Sequence, residues 1–320
     1  MEYPRIKDSN EKLKEACLAG IDRQYASDLR ADALVKMEEE LNIIKKQGSA
    51  SAYVLVYNAL TAVDAEPAEY YMRGSIGSSL VSYLLGFTDT DPISCKPRLY
   101  SIFYYGINGD KDPTIEAFVS PNLQKRLVNY FENYPEDDKV EFRRGMDGKL
   151  LGVYVGELKE ENRFIEGLWN VFCFGFSTNE KFDEIGKETS QDEILNICKP
   201  GSFIEYVKCY GLRFGTGTWE DTGKNLFLEK SIPFMNLISC REDVYEYMID
   251  HGVDERMAYD IAEYVRKGKV ERKGWTEELL GAIEKAEIPD WYRESCQKIK
   301  YLFPRAHIME WIKTFRSDMV

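Results

Sequence analysis

Leu13, Cys17 and Ile21 recur at four-residue intervals among charged neighbours, and Leu34, Met37, Leu41 and Ile44 keep a three-to-four spacing up to Gly48. Apolar residues so spaced share one face of a helix, and a glycine directly after them is a common stop. The pattern predicts two amphipathic helices, over residues 11–25 and 33–47. The next stretch, SAYVLVYNALTAV, is apolar on all sides, so periodicity leaves a buried helix and a buried strand both open. RLYSIFYYGI predicts a strand, and KVEFRRGMDGKLLGVYVGEL predicts a hairpin turning at Asp147-Gly148, with Leu151, Val153 and Val155 alternating beyond the turn. After about residue 180 the spacing becomes helical. There Ser190-Gln-Asp-Glu193 and Ser239-Cys-Arg-Glu242 both read as capping boxes ahead of apolar-periodic runs. Strands confined to the middle third, with helices on either side, predict an α+β fold: a sheet-containing domain up to about residue 180 and a second, mostly helical domain over 181–320.

Composition narrows the partners. The 320 residues leave room for two domains and a large core. No run approaches the ~18 apolar residues a membrane helix needs, and the start, MEYPRIKDSNEKLKEA, lacks an apolar leader core, so a cytoplasmic protein with no membrane partner is expected. Seven cysteines, Cys17, Cys95, Cys173, Cys198, Cys209, Cys240 and Cys296, are scattered without a CxxC pair, which predicts reduced thiols and no zinc site. A net charge of −13 opposes a broad nucleic-acid surface. Residues 261–320 are the exception, with twelve Lys/Arg against ten Asp/Glu, so a polyanion should meet that end first. NYPEDDKVE reads as an acidic surface loop.

One short stretch carries candidate chemistry. In YYMRGSIGSSLVSYLLGFTDTDP, residues 70–92, an arginine, two glycines and three serines precede an apolar run. If that run is helical, Arg73, Gly74, Ser75, Gly77 and Ser78 offer an anion, such as a phosphate, a loop that permits close approach and donors at a helix start. A tight turn capped by Ser75 or Ser78, with Arg73 on a surface carboxylate, fits the same letters. Both readings stay open.

The order of segments resembles the bacterial C-family replicative polymerases, specifically the PolC-type DNA polymerase III alpha subunit. RGSIGSSLVSYLLGFTDTDP follows a helix ending KMEEELNIIKKQGSASAY. The likeness is strongest in ISCREDVYEYMIDHGVDERMAYDIAEYVRKGK and IPDWYRESCQKIKYLFPRAH. GLRFGTGTW is similar to the family segment SGLSHGT-x-VW, with Arg213-Phe214 in place of Ser-His. The resemblance implies a nucleotidyltransferase-like palm with a mixed sheet over 1–180 and helical fingers over 181–320. It places RGSIGSS near the triphosphate of an incoming nucleotide. It also makes Arg266, Lys267, Lys269, Lys298, Lys300, Arg305 and His307 candidates for phosphate contact, where lysines and forked arginine donors are suited to oxygen anions. A solvated basic face is the plain alternative.

The chain departs from the family where metals should sit. Polymerisation needs hard carboxylates to hold two Mg²⁺ ions. The family pattern GDK-x-P-D-I-D reads GDKDPTIE here: Gly109, Asp110, Lys111, Pro113 and Ile115 keep the frame, but Thr114 and Glu116 stand where the two aspartates belong. The third family aspartate, in K-x-D-[I/F]-L-G, has WNVFCFGF at residues 169–176 as its nearest counterpart, with no acid, and the family's zinc insert is reduced to Cys95. Glu116 and Asp112 are left as catalytic and metal-binding candidates, for Mg²⁺ held weakly. Three expectations follow: a degenerate polymerase that still binds a nucleoside triphosphate or nucleic-acid end, an active minimal nucleotidyltransferase using Asp112 and Glu116, or an interaction module whose cleft is a relic.

Overall fold

A computed structural model describes residues 6–134, 140–144, 148–155, 174–178 and 192–316. The chain divides into two compact units, Met1–Ile185 and Gly186–Val320.

The first unit opens with helices α1 (Ser9–Gln24) and α2 (Ser27–Gln47). Leu13, Cys17 and Ile21 are buried, as their spacing predicts, and α2 stops at Gly48 in a left-handed conformation with φ 68°. The buried stripe of α2 is Ala33, Met37, Glu40 and Ile44, so a carboxylate occupies a core position. The ambiguous apolar segment is helix α3 (Ala50–Ala62), covered from Ala50 to Val56 without a break.

The short strand β1 (Tyr70–Met72) leads through a 3₁₀ turn at Ile76–Ser78 into helix α4 (Leu80–Leu84). RLYSIFYYGI is not a strand: Ile102–Tyr105 forms the single helical turn α5, closed by Gly106 N–H donating to the Ile102 carbonyl. Phe103, Tyr104 and Tyr105 are buried in succession, and the Tyr104 and Tyr105 amides bond back to the Ser101 carbonyl at 2.9 and 3.0 Å, a local turn that overrides the strand preference of aromatic residues. Strand β2 (Glu116–Val119) and helix α6 (Pro121–Glu132) follow, with Ser120 capping α6.

The expected hairpin is present as β3 (Val140–Arg144) and β4 (Leu150–Val155), with Gly148 at φ 77°; Asp147 lies outside the described residues, as does most of NYPEDDKVE. With β5 (Phe174–Thr178) they complete a five-stranded mixed sheet of order β1-β2-β5-β4-β3. β2 and β5 run parallel, with Glu116 opposite Gly175, and the other neighbours are antiparallel. This is the α+β arrangement with a mixed sheet.

The second unit is helical: α7 (Glu193–Cys198), α8 (Phe203–Phe214), α9 (Lys224–Leu228), α10 (Arg241–Asp250), α11 (Glu255–Arg266), α12 (Lys269–Lys273), α13 (Glu277–Lys285), α14 (Asp290–Lys298) and α15 (Arg305–Phe315). Both expected caps are displaced. Asp192 caps α7, accepting from the Ile194 and Leu195 amides, while Ser190 lies outside the described residues. At α10 the cap is Cys240 with Asp243, because the Asp243 carboxylate accepts from Ser239 N–H, Ser239 Oγ and Cys240 N–H. An aspartate reaching three amino-terminal donors outcompetes the Ser239–Glu242 pairing. Among the described residues no helix is long and apolar enough to cross a membrane.

Candidate functional site

The RGSIGSS loop begins where β1 ends, on the sheet edge beside β2. Pairing of Met72 with Ala117 carries on into a 2.8 Å hydrogen bond from Arg73 N–H to the Glu116 carbonyl. The register therefore brings the phosphate candidate Arg73 onto the metal candidate Glu116: Nη1 lies 4.0 Å from Oε2. Burial pushes the Glu116 carboxyl above the usual range, and Arg73 opposes the shift. Gly74 turns the chain at φ 76°, Ser78 Oγ donates to the Ser75 carbonyl at 2.6 Å, and Ser75 and Ser78 are both buried.

Just beyond, the start of α4 holds a carboxyl group of the protein's own. Glu40 Oε2 accepts from Ser79 Oγ at 2.7 Å, Val81 N–H at 3.1 Å and Tyr105 Oη at 3.2 Å, and Oε1 accepts from Leu80 N–H at 3.2 Å. Burial raises the Glu40 carboxyl, with Lys36 and these donors opposing. The helix-start donors that the sequence offers to an external phosphate are thus engaged internally, which leaves Arg73 as the loop's outward charge, more than a third exposed.

The GDKDPTIE segment is held from behind. Gln47 Nε2 donates to the Gly109 carbonyl at 3.0 Å and to that of Lys111 at 2.8 Å, and Lys111 Nζ donates to the Phe103 carbonyl at 2.9 Å. Lys111 therefore serves the frame. Ile115, Ala117 and Val119 point into the core, so Thr114 and Glu116 lie on the opposite, accessible face; Asp112 is exposed. The Thr114 carbonyl accepts from Tyr104 Oη at 3.2 Å. Beside Glu116, β5 reads FGFST with no acid, while residues 169–173 of WNVFCFGF lie outside the described residues. Among the described residues no group of three or more His, Cys, Asp or Glu side chains could hold a metal ion.

The second unit divides the cation candidates. Gly217, at φ 78°, sits where a Cβ would stand 2.2 Å from the Lys298 carbonyl, and Thr216 and Tyr301 exchange backbone hydrogen bonds. That close approach, open only to glycine, presses GLRFGTGTW onto the Lys298–Tyr301 segment. On the same segment's other side, Leu302 N–H donates to the Arg266 carbonyl. Arg266, Lys267, Lys269 and Lys300 are brought together here. Arg266 ion-pairs with Glu263 at 2.9 Å and lies over the Tyr301 ring, Lys267 meets Glu263 at 3.1 Å, and Lys269 lies over Tyr264. Lys298 and Lys300 are exposed.

Arg305 and His307 sit elsewhere. Arg305 is 3% exposed, its guanidinium held by Asp243 at 3.0 Å and Glu246 at 2.6 Å. His307 is buried and stacked on Phe303, with ring centres 5.2 Å apart. Burial alone would raise the Asp243 carboxyl, but Lys208 and Arg305 outweigh it and hold it well below the usual range. The sequence signalled neither Glu40 nor Asp243: in α2 one acid of a glutamate run turns inward, and in α10 both Glu242 and Asp243 pair with interior arginines.

Comparison with known proteins places these features. Residues 11–141 match the family model of the bacterial DNA polymerase III alpha NTPase domain. The chain is similar to the PolC-type DNA polymerase III of Staphylococcus aureus, 38% identical over 97% of this chain and 32% of the relative, and to the proteins of strains MW2 and USA300 with the same identity and shares. The chain thus spans about a third of the length of the curated relatives it matches. The first of these alignments covers 461 residues, so at least 141 aligned positions have no counterpart among the 320 here.

Proposed function

This chain belongs to the PolC-type DNA polymerase III family, and we propose that it acts in the cytoplasm as a nucleoside-triphosphate or nucleic-acid-end binding protein impaired in DNA polymerisation. What carries this is the ion pair between Arg73 and Glu116. Where the family resemblance calls for aspartates that share two Mg²⁺ ions, this chain has a neutral Thr114 and a glutamate already facing a guanidinium. A cation competes with Mg²⁺ for the carboxylate, and two metals need several shared carboxylates to align a primer hydroxyl with a triphosphate.

Binding does not need that cage. Arg73 offers a forked donor to phosphate oxygens, and in the second unit the turn of Arg266, Lys267 and Lys269 beside Lys300 offers a cluster of cations that DNA could meet. Mg²⁺ would be held weakly, through Glu116 and Asp112, and no zinc is required.

Thermal unfolding with and without a deoxynucleoside triphosphate and Mg²⁺, beside a primer-extension assay, tests both halves. Stabilisation that Arg73→Ala abolishes, without extension, is the expected outcome. No nucleotide or DNA binding at all would favour an interaction module, and robust extension lost in Asp112→Ala would establish an active replacement site.

A further inference from the structure

Four aromatic side chains of the second unit form a connected row at its surface. Tyr301 meets Phe303 edge-on with ring centres 5.0 Å apart, Phe303 meets Phe214 at 5.7 Å, and Phe214 meets Trp311 edge-on at 5.1 Å. Tyr301 is 36% exposed and the other three are half-buried. The backbone sets the row. Tyr301 and Phe303 stand two residues apart with Leu302 buried between them, so their rings share one side of the segment. The backbone pairing of Thr216 with Tyr301 brings Phe214 alongside, and Trp311 joins from α15. His307 covers one face of Phe303, while edge-on contacts leave ring faces elsewhere in the row without a parallel partner. A contiguous aromatic surface in contact with water forgoes burial, which marks an interaction site.

Cations border the row. Lys298 and Lys300 are exposed and have no ion pair among the described residues. The Arg266 guanidinium lies 5.9 Å from the centre of the Tyr301 ring, and Arg213, the neighbour of Phe214 in the chain, is exposed and pairs with Asp192 at 3.1 Å.

We propose that this row is a stacking platform for unpaired bases, so that the nucleic acid in the reading above, on which this inference rests, is a single strand of DNA or RNA. Every base has a face that an aromatic ring can take, whereas a duplex keeps those faces stacked on one another and offers only its ends. The bordering lysines meet phosphates along the strand. The charge fits this division of labour: at −13 the chain opposes a broad phosphate surface, and stacking supplies affinity that a few cations do not.

The test measures fluorescence anisotropy of labelled oligothymidylate, oligouridylate and a blunt duplex of the same length with the full chain. The better-bound single strand is expected to bind about tenfold tighter than the duplex, in line with the stacking of one base. Tyr301→Ala should remove that advantage and leave the duplex unchanged, and Tyr301→Phe should keep it. The loss in Tyr301→Ala should persist at raised salt, whereas Lys300→Ala should reduce the salt dependence by about one phosphate contact. Equal binding of strand and duplex by the wild type, or a single-strand affinity indifferent to Tyr301→Ala, would overturn the platform and leave nucleic-acid binding standing. Binding of neither strand nor duplex would overturn the platform together with the nucleic-acid reading beneath it. The wild-type comparison decides the matter even where a variant fails to fold.

Discussion

Ser79 Oγ donates a 2.7 Å hydrogen bond to Glu40 Oε2 across 39 positions of sequence. The bond joins the core stripe of α2 to the first residue before α4, and with the Leu80, Val81 and Tyr105 donors it gives one buried carboxylate four partners. A loop whose letters suit an external anion is thereby tied to an internal carboxyl group. The consequence is an RGSIGSS loop anchored at Ser79, with Arg73 as its charge.

Removing the Glu40 acceptor strands these four donors in the core. Glu40→Ala is expected to cost roughly 3–5 kcal/mol, since each unsatisfied buried group costs about 1–3 kcal/mol and some relaxation follows. Burial raises the Glu40 carboxyl, so the folded state holds its proton more tightly than the unfolded chain. That contribution is complete in acid and is lost as pH rises through the raised value. Melting temperatures of the wild type minus Glu40→Gln should accordingly fall across that rise; a difference independent of pH would count against it.

Nucleotide binding should be limited by the same pairing that weakens the metal site. Glu116→Gln removes the carboxylate facing Arg73 and is expected to tighten deoxynucleoside triphosphate binding by about threefold, in line with a partly exposed ion pair worth under about 1 kcal/mol. Because burial raises Glu116, the wild type should approach the variant's affinity as pH falls through that raised value. Titration calorimetry at several pH values checks this, with Glu116→Gln as the reference for protonation of the nucleotide itself.

Much of the first unit was legible because its signals are local. The α1 stripe, the Gly48 stop and the hairpin around Gly148 follow from spacing and turn chemistry, while the mixed character of the sheet came from the family resemblance. The failures share a cause. RLYSIFYYGI has strand-like letters but folds as a helical turn that Gly106 closes at φ 84°, and the α10 cap falls to Asp243 rather than Ser239 because its carboxylate reaches three donors at once. Of the site, the sequence named Arg73 and Glu116 separately, yet only strand register reveals that they meet. Arg305 looked like its exposed neighbours in KIKYLFPRAH; only tertiary packing turns it onto Asp243 and Glu246.

Asp243 joins Lys208 at 2.9 Å to Arg305 at 3.0 Å inside the second unit. Asp243→Asn leaves both cations short of countercharge and is expected to destabilise by about 3 kcal/mol at neutral pH. The carboxyl is held below its usual value, so its contribution is complete above the unfolded-state value and is lost as pH falls through the depressed one. Denaturant unfolding of wild type and variant should converge on acidification well below pH 3.8. An equal penalty at every pH would assign the effect to shape instead of charge.

Restoring the family's acids on one strand should recover metal without recovering synthesis. Thr114→Asp with Glu116→Asp places two aspartates on the accessible face of the segment leading into β2 and shortens the side chain facing Arg73, so Mg²⁺ or Mn²⁺ binding should strengthen measurably by calorimetry. Extension of a primed template should nonetheless remain at least about a hundredfold below what a complete two-metal site supports, because misplacement of reacting groups by about 1 Å already costs that much. The neighbouring strand offers a place for a further acid: β5 runs parallel to β2, Gly175 is the register partner of Glu116, and Phe174–Thr178 carries no acid. Paired residues of adjacent strands project to the same face, so Gly175→Asp added to the double variant should tighten metal binding again, and extension should rise only in that triple variant. Robust synthesis by the double variant alone would mean that an acid outside β5 completes the cage, and synthesis by the wild type would mean that Glu116 binds metal in spite of Arg73.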